Sequence, residues 1–292
     1  MLSIHTNIAA LYAQSAASSA QRRLSASMLR LSTGYRINSA MDDAAGLQIA
    51  TRLRAQVSGM AVAMRNTQSS TSMLQTAEGA FGEVTDMLVR MKDLATQAAD
   101  ASANQTDRDA MQAEYDALGQ ELYNVLTNTT YGGNLLLGNG GAGKGTLSQA
   151  MTFQIGASSS ETMQFSVAGA MGDLDTALKA ISANFAPGGT AGSEFGSNGS
   201  ANTIIDLLAK ALDQVGGVRS ALGATANRLE HVHNNLANMV TNTKAAIGRI
   251  MDVDYAAESA NMTSAQMLLQ ASTAMLKQSQ SMQKMILSLL QP

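Results

Sequence analysis

The sequence predicts a mainly α-helical fold: long antiparallel coiled-coil helices from both termini, plus a small central β-hairpin region. Three observations predict it. Residues 1–110 and 203–292 carry apolar side chains at three- and four-residue gaps, the spacing that lines one face of a helix. The chain's two prolines are Pro187 and Pro292, so no proline interrupts those stretches internally. Every strand-like alternation, and most of the glycine-rich sequence, lies between them. A chain whose ends are both long amphipathic helices can hardly bury them alone, so the ends are expected to assemble with copies of the same chain.

In order, Ile4, Ile8, Leu11, Tyr12, Ala16, Ala20, Leu24, Met28 and Leu31 recur on one helical face and predict a first helix to about Ser32. Gly34 breaks it, and Ser39-x-x-Asp42 is a capping-box pattern that restarts a helix just beyond. The next stripe runs Ala50, Leu53, Val57, Met60, Met64, Thr67, Thr71 and Leu74, then Phe81, Val84, Leu88, Met91 and Leu94, a coiled-coil signature. Thr106-x-x-Asp109 is read as the cap of a further helix to about Thr127. Met151, Phe153 and Ile155, then Met163, Phe165 and Val167, alternate with polar residues and predict a β-hairpin. A short helix is placed in Asp173–Phe185, and Ala186–Asn202, rich in Gly, Ser and Ala, reads as an exposed loop tip. The clearest heptad follows: Leu208, Ala211, Val215, Val218, Leu222, Thr225, Leu229, Val232, Leu236, Met239, Thr243, Ala246 and Ile250. Its expected partner is the seam from Ala50 to Leu94. After Asp252-Val253-Asp254, a last helix carries Met262, Leu268, Leu269, Met275, Leu276, Met282, Met285, Ile286, Leu289 and Leu290 around much of its circumference, so more than one neighbour must cover it.

Composition excludes several functions. A net charge of −3 and a pI near 5.6 give no electrostatic reason to bind nucleic acid. With no cysteine there is no disulfide, thiolate metal site or Cys nucleophile. The start, Met1 to Asn7, has neither a basic n-region nor a long apolar h-region, so no cleaved secretory signal is expected. No apolar run approaches the ~20 residues of a membrane span, and membrane insertion is not expected. Gly138 to Lys144 fits GxxxxGK, but Gly145 stands where a phosphate loop needs a hydroxyl, and no helix pattern follows; a hairpin turn is the reading. His231 and His233 sit two apart on a helix and point to different faces, unlike a zinc pair spaced by four, so they read as polar positions beside the seam. Asp42-Asp43 and Asp252-x-Asp254 lack the further oxygen ligands of a calcium loop and read as helix caps or inter-subunit polar contacts. No catalytic residue, cofactor site or metal site is assigned.

From Leu31 through Ser32, Thr33, Gly34, Tyr35, Arg36, Ile37, Asn38, Ser39, Ala40, Met41, Asp42, Asp43, Ala44, Ala45, Gly46, Leu47, Gln48 and Ile49 to Ala50, the chain closely resembles bacterial flagellin. The resemblance continues at Gln112-Ala113-Glu114, at Phe153 to Ala157, at Leu222-Gly223-Ala224 with Asn227-Arg228-Leu229, at Arg249 to Tyr255, and at Ile286 to Leu290. It covers the greater part of the chain. It implies a structural subunit that self-assembles into the bacterial flagellar filament for motility, secreted to an extracellular flagellum, and no enzyme. Residues 1–43 and 252–292 would then form the paired terminal helices of an inner core. Residues 44–169 and 203–251 would form an outer core, a helical bundle with the hairpin, and 170–202 a short variable surface region.

The implied assembly residues are Ile4, Ile8, Leu11, Leu24, Met28, Leu31, Leu268, Leu269, Met275, Leu276, Ile286, Leu289 and Leu290. The implied partners are identical subunits, an export chaperone and the type III export apparatus guided by uncleaved Met1–Leu11, and the filament cap and hook-junction proteins. Innate immune receptors are a further implied partner, through Arg90, Leu94 and Glu114 for the vertebrate receptor and through Leu29–Ala50, including Asp42 and Asp43, for the plant one. Leu29, Tyr35 and Met41 depart from the usual plant epitope, and Met91-Lys92-Asp93 from the usual run in the vertebrate one. Two alternatives stand beside this reading. A hook–filament junction protein shares the terminal helices; the intact Asn38–Ala50 segment and Leu287-Ser288-Leu289-Leu290 favour flagellin. An enzyme hosted in the central insertion is opposed by the shortness of that insertion and by the lack of HExxH.

Overall fold

The computed structural model describes residues 6–138, 145–186, 188, 189 and 191–289, with backbone alone at 283 and 286–289. Among them are six α-helices: α1 Ile8–Thr33, α2 Ala44–Ala98, α3 Gln105–Asn128, α4 Ala168–Ile181, α5 Asn198–Met251 and α6 Tyr255–Leu289. Two antiparallel pairs of strands interrupt them, β1 Thr130–Tyr131 with β2 Asn134–Leu135, and β3 Met151–Gln154 with β4 Thr162–Phe165. The mainly helical fold with a small hairpin region is thus present. The chain divides into a terminal unit, Met1–Val57 with Thr241–Pro292, and a central unit, Ser58–Val240.

In the terminal unit, Gly34 ends α1 as the sequence predicts. It takes φ +74°, its N–H donates to the Arg30 carbonyl, and a Cβ there would stand 3.0 Å from the Tyr255 hydroxyl. The turn after it is stitched to the end of α5: Arg36 N–H donates to Met251 O at 2.6 Å, and Val253 N–H to Gly34 O at 3.0 Å. Ile37 closes this joint, buried with Ala50 and Met251. The predicted capping box is half present. Asp42 Oδ2 accepts from the Ser39 N–H at 2.8 Å, but the Ser39 hydroxyl turns to Asp42 and to Met41 N–H, and the cap of α2 is Asp43, whose Oδ1 accepts from Gly46 N–H at 2.9 Å. Two adjacent carboxylates can both cap, and the one beside the first helical residue does so.

In the central unit, α2 and α5 pair antiparallel, as the facing of Glu78 with Arg219 and of Thr67 with His233 shows. One apolar core joins the two predicted seams, from Leu74, Phe81, Val84, Leu88, Met91 and Leu94 on α2 to Leu208, Val215, Val218, Leu222 and Leu229 on α5. The hairpin falls as read, Phe153 opposite Met163 and Met151 opposite Phe165, with Phe153, Met163, Phe165 and Val167 buried. Three predicted boundaries move. The cap of α3 is Asn104, not Thr106: its Oδ1 accepts from Asp107 N–H at 2.8 Å and Asp107 returns the bond, a capping box two residues earlier, because Asn is as good a cap as Thr. The short helix is α4, Ala168–Ile181, starting before Asp173 and ending before Phe185, since the backbone turns extended at Ser182.

The third correction concerns Ala186–Asn202, which is not an exposed tip throughout. Helix α5 already begins at Asn198, and Phe195 is 1 % exposed, edge-on to Tyr115 with ring centroids 4.8 Å apart. Polar side chains of α3 hold the strap: Asp116 accepts from Gly192 N–H at 3.0 Å, and Gln112 accepts from Phe195 N–H at 2.9 Å. Glu194 takes the Gln112 amide and the Ala183 N–H. Low apolar content hid one anchoring ring and a set of backbone bonds. Residues 139–144 of the GxxxxGK stretch, with Pro187 and Thr190, lie outside the described residues.

Candidate assembly interface on the terminal helices

Helices α1 and α6 pack antiparallel, Asn7 opposite Ser279 at one end and Arg30 opposite Glu258 at the other. Asn7 does two jobs. Its Oδ1 caps α1 by accepting from Ala10 N–H at 3.0 Å and also accepts from the Ser279 hydroxyl at 3.0 Å, while its amide donates to Ser279 O at 3.2 Å. At the far end, Asp254 Oδ1 caps α6 through Ala256 N–H at 2.9 Å and Ala257 N–H at 3.2 Å, in keeping with the cap reading of that aspartate. The carboxylate of Glu258, side chain 9 % exposed, meets Arg30 at 3.7 Å in the first turn of α6, where the helix dipole also favours a negative charge.

Many of the residues that face each other are small, above all on α1. On α1 the seam positions, none of them exposed, are Ala10, Ala13, Ala17, Ala20, Leu24, Ser27 and Leu31, with Ser19 and Arg30 half-buried beside them; on α6 they are Glu258, Met262, Ala265, Leu269, Ser272, Leu276 and Ser279. Both sets alternate three- and four-residue gaps without a break, the seam of a two-helix coiled coil. Alanine and serine at such positions let the axes approach closely, but they bury little apolar area. Most of the larger apolar residues point elsewhere. Ile8, Leu11, Tyr12, Met28 and Leu29 of α1 are exposed, and so are Met267, Leu268, Met275, Met282 and Met285 of α6, with Tyr12 at 74 % and Met275 at 64 %.

This arrangement corrects the single stripe read along the first helix: Ala20, Leu24 and Leu31 face α6, whereas Ile8, Leu11, Tyr12 and Met28 face outward. On α6, Leu269 and Leu276 lie half-buried in the seam and Leu268 and Met275 lie outside it. The side chains of Ile286 and Leu289, and all of Ile4 and Leu290, lie outside the described residues. Sequence reasoning missed the Ala/Ser heptad. Its signal, Ala10, Ala13, Ala17 and Ala20 at heptad spacing, was present but outranked by bulkier neighbours.

The other singled-out residues fall as follows. Arg90 grips Glu114 between α2 and α3, with Nε and Nη2 on the same Oε1 at 2.8 and 2.7 Å, and both are exposed. Leu94, one turn on, is 2 % exposed and belongs to the core. Asp42 belongs to the terminal unit, and the N–H groups of Ser39 and Asn38 on its carboxylate hold its pKa below the ordinary carboxylate range. His231 is exposed, and His233 lies 3.4 Å from the Thr67 hydroxyl. Among the described residues no three His, Asp or Glu side chains gather as metal ligands, and no helix is long and apolar enough to cross a membrane.

Comparison with known proteins points the same way. The bacterial flagellin N-terminal helical region matches residues 4–141, and the bacterial flagellin C-terminal helical region matches residues 205–290. The chain is similar to polar flagellin F of Vibrio parahaemolyticus, 34 % identical across 99 % of both chains, and to flagellin A of Vibrio anguillarum, 33 % identical across 99 % of this chain and all of that one. The first alignment spans 381 residues against 292 here, so that relative carries sequence this chain lacks. Among solved structures, a protein described as a flagellar hook-associated protein of Vibrio parahaemolyticus shares the fold, at 15 % identity and a TM-score of 0.55 over 72 % of this chain and all of that one.

Proposed function

The chain belongs to the bacterial flagellins, and on that premise we propose that it builds the flagellar filament through the outward apolar faces of α1 and α6. As a flagellin it is a structural, self-assembling filament subunit and not an enzyme. One observation carries the proposal: the seam between the two helices is rich in Ala and Ser and takes up only Leu24, Leu31, Met262, Leu269 and Leu276 of their large apolar residues, while ten others stay exposed. Exposed apolar area on this scale marks an interaction surface. Covering a half-exposed Leu, Ile or Met contributes on the order of 1 kcal/mol, and repeated neighbours supply the cover.

Residues 1–43 with 252–292 act as the inner core in this reading, 44–169 with 203–251 as the outer core, and 170–202 as the outward region. The family match leaves 142–204 uncovered, which supports placing the variable sequence there. Assembly is coupled to ordering of the end helices, since each neighbour offsets part of the entropy of fixing them. The subunit is handed by an export chaperone to the type III apparatus, travels unfolded behind Met1–Leu11, and is placed beneath the filament cap beyond the hook-junction proteins. The secreted subunit, before its neighbours cover it, offers the Arg90–Glu114 pair, with Leu94 one turn on, and the Asp42-Asp43 turn to innate immune receptors.

Truncation tests the core of this. A chain ending at Asp254 lacks α6 but keeps α2 to α5. It should remain soluble, helical and monomeric in sedimentation, while the full chain elongates seeds into filaments visible by electron microscopy. Filaments from the truncated chain would overturn the proposal.

A further inference from the structure

Helix α6 has three faces. At ~100° per residue, the seam from Glu258 to Ser279 occupies one side and Lys277, Lys284, Gln266 and Gln270 a second. Met267, Met275, Met282 and Met285 share a third, an arc of about 80° bordered by Leu268, and all four are more than half exposed. The chain has 19 Met and no Cys, so thioethers are its sole sulfur. An oxidant therefore meets no thiol first. Accessibility grades the methionines: Met60, Met91, Met163, Met171 and Met251 are buried, Met28 and Met239 are exposed at 47 % and 37 %, and Met41 is 96 % exposed on the turn before α2.

We propose that the methionine strip on α6 is a reversible oxidation site through which peroxide controls whether the subunit can be incorporated. The inference rests on the assembly reading above, because the strip is open only until a neighbouring copy covers it. A sulfur lone pair attacks one oxygen of hydrogen peroxide; the S–O bond forms, the O–O bond breaks, and the departing oxygen leaves as water after proton transfer. The sulfur is oxidised by two electrons to the sulfoxide, and the peroxide is reduced. A dithiol-dependent methionine sulfoxide reductase reverses it, forming a disulfide and water. The product exchanges a flexible apolar group for a polar, chiral one with a strong acceptor. Buried against an apolar neighbour without a donor, each sulfoxide raises the concentration needed for elongation by roughly tenfold or more. Met41 is the built-in control, since it oxidises freely but lies off α6.

The test uses the full-length protein and hydrogen peroxide. Monomer and preformed filaments are oxidised alike, each methionine is scored by peptide mass spectrometry, and oxidised monomer is added to seeds before and after reductase treatment. Expected are oxidation of Met41 in both forms, oxidation of Met267, Met275, Met282 and Met285 in monomer with strong protection in filaments, loss of elongation, and its recovery with the reductase. A variant with all four replaced by Leu, which keeps volume and apolarity but cannot form a sulfoxide, should elongate after peroxide; Met41→Leu should stay sensitive. If monomer oxidised at the four sites elongates normally, or stays inactive once reduced, the oxidation proposal falls while the assembly reading stands. If the strip is oxidised as fast in filaments as in monomer, α6 is not covered by neighbours and the assembly reading itself falls.

Discussion

Leu222 and Leu268 are both leucines at heptad-like positions of long helices, yet the structure gives them opposite tasks. Leu222 is 1 % exposed in the core between α2 and α5; Leu268 is half exposed on α6. Leu222→Ala removes three carbons from that core. Lost transfer accounts for ~2.4 kcal/mol at ~0.8 per methylene, and an incompletely collapsed cavity brings the total to about 3–4 kcal/mol. For a unit the size of Ser58–Val240 each kcal/mol shifts Tm by ~2–4 °C, so a fall of about 10 °C is expected in the helical melt of monomer followed by circular dichroism. Leu268→Asp touches nothing in that core and should leave the same melt within the ~0.5 kcal/mol typical of surface changes. In elongation the order reverses. A carboxylate brought under an apolar neighbour costs several kcal/mol, more than a hundredfold in critical concentration at ~1.4 kcal/mol per tenfold. Sedimentation and seeded growth measure it. Normal filaments from Leu268→Asp, or a monomer melt lowered as far as by Leu222→Ala, would refute the division of roles.

Three further outcomes follow from single sites. Gly34→Ala forces a side chain onto φ +74° and against the Tyr255 hydroxyl at 3.0 Å, and should destabilise the α1–α6 pair by ~1 kcal/mol or more, read as faster amide exchange in α1. Tyr115→Phe removes the 2.6 Å bond to Ile181 O and should cost about 1–3 kcal/mol; because burial, then Glu194 and Asp116, push this phenol's pKa up, its stabilisation is whole below the ordinary value of ~10 and is lost as pH rises beyond it, so wild type should lose stability above pH ~10 more steeply than the variant. A short tag between Gly188 and Gly189 should be displayed without halting growth, whereas the same tag between Ser197 and Asn198 breaks the Ser197–Ser200 bonds that start α5 and pulls on Phe195, and should lower the Tm.

Much of this fold was legible because helices α2 and α5 obey one simple rule. Their seams are mostly large apolar residues at heptad spacing, with Ala77, Ala211 and Thr225 filling the remaining positions, so period and burial largely coincide from Leu74 to Leu94 and from Leu208 to Leu236. The hairpin was legible for the same reason at period two. The strap from Ser182 to Ser197 was not. Its order comes from Phe185 and Phe195 and from carboxylate and amide side chains of α3 that satisfy its N–H groups, and such bonds leave no periodic trace. Caps were legible in kind but displaced wherever Asp, Asn, Ser and Thr crowd together, by four residues from Ser39 to Asp43 and by two from Thr106 to Asn104.

The candidate interface was legible only as a surplus. Periodicity says that an apolar residue recurs on a helix face; it does not say whether the partner belongs to the same chain. In α1 one unbroken three–four pattern, Ala10, Ala13, Ala17, Ala20, Leu24, Ser27 and Leu31, lies beside the bulkier Ile8, Leu11 and Met28, which fall outside it. Ranking by hydrophobicity selects the bulkier residues as the core, yet the helix within reach takes the unbroken pattern, since two helices of a hairpin can approach most closely where side chains are small. The bulky set is then left to surfaces that only another molecule can offer. Size therefore helps to separate the two partners where hydrophobicity misassigns them: a heptad rich in Ala and Ser, with bulkier Ile, Leu and Met left off its register on the same helix, is what a chain shows when it must pair with itself and still keep larger apolar contacts for its neighbours.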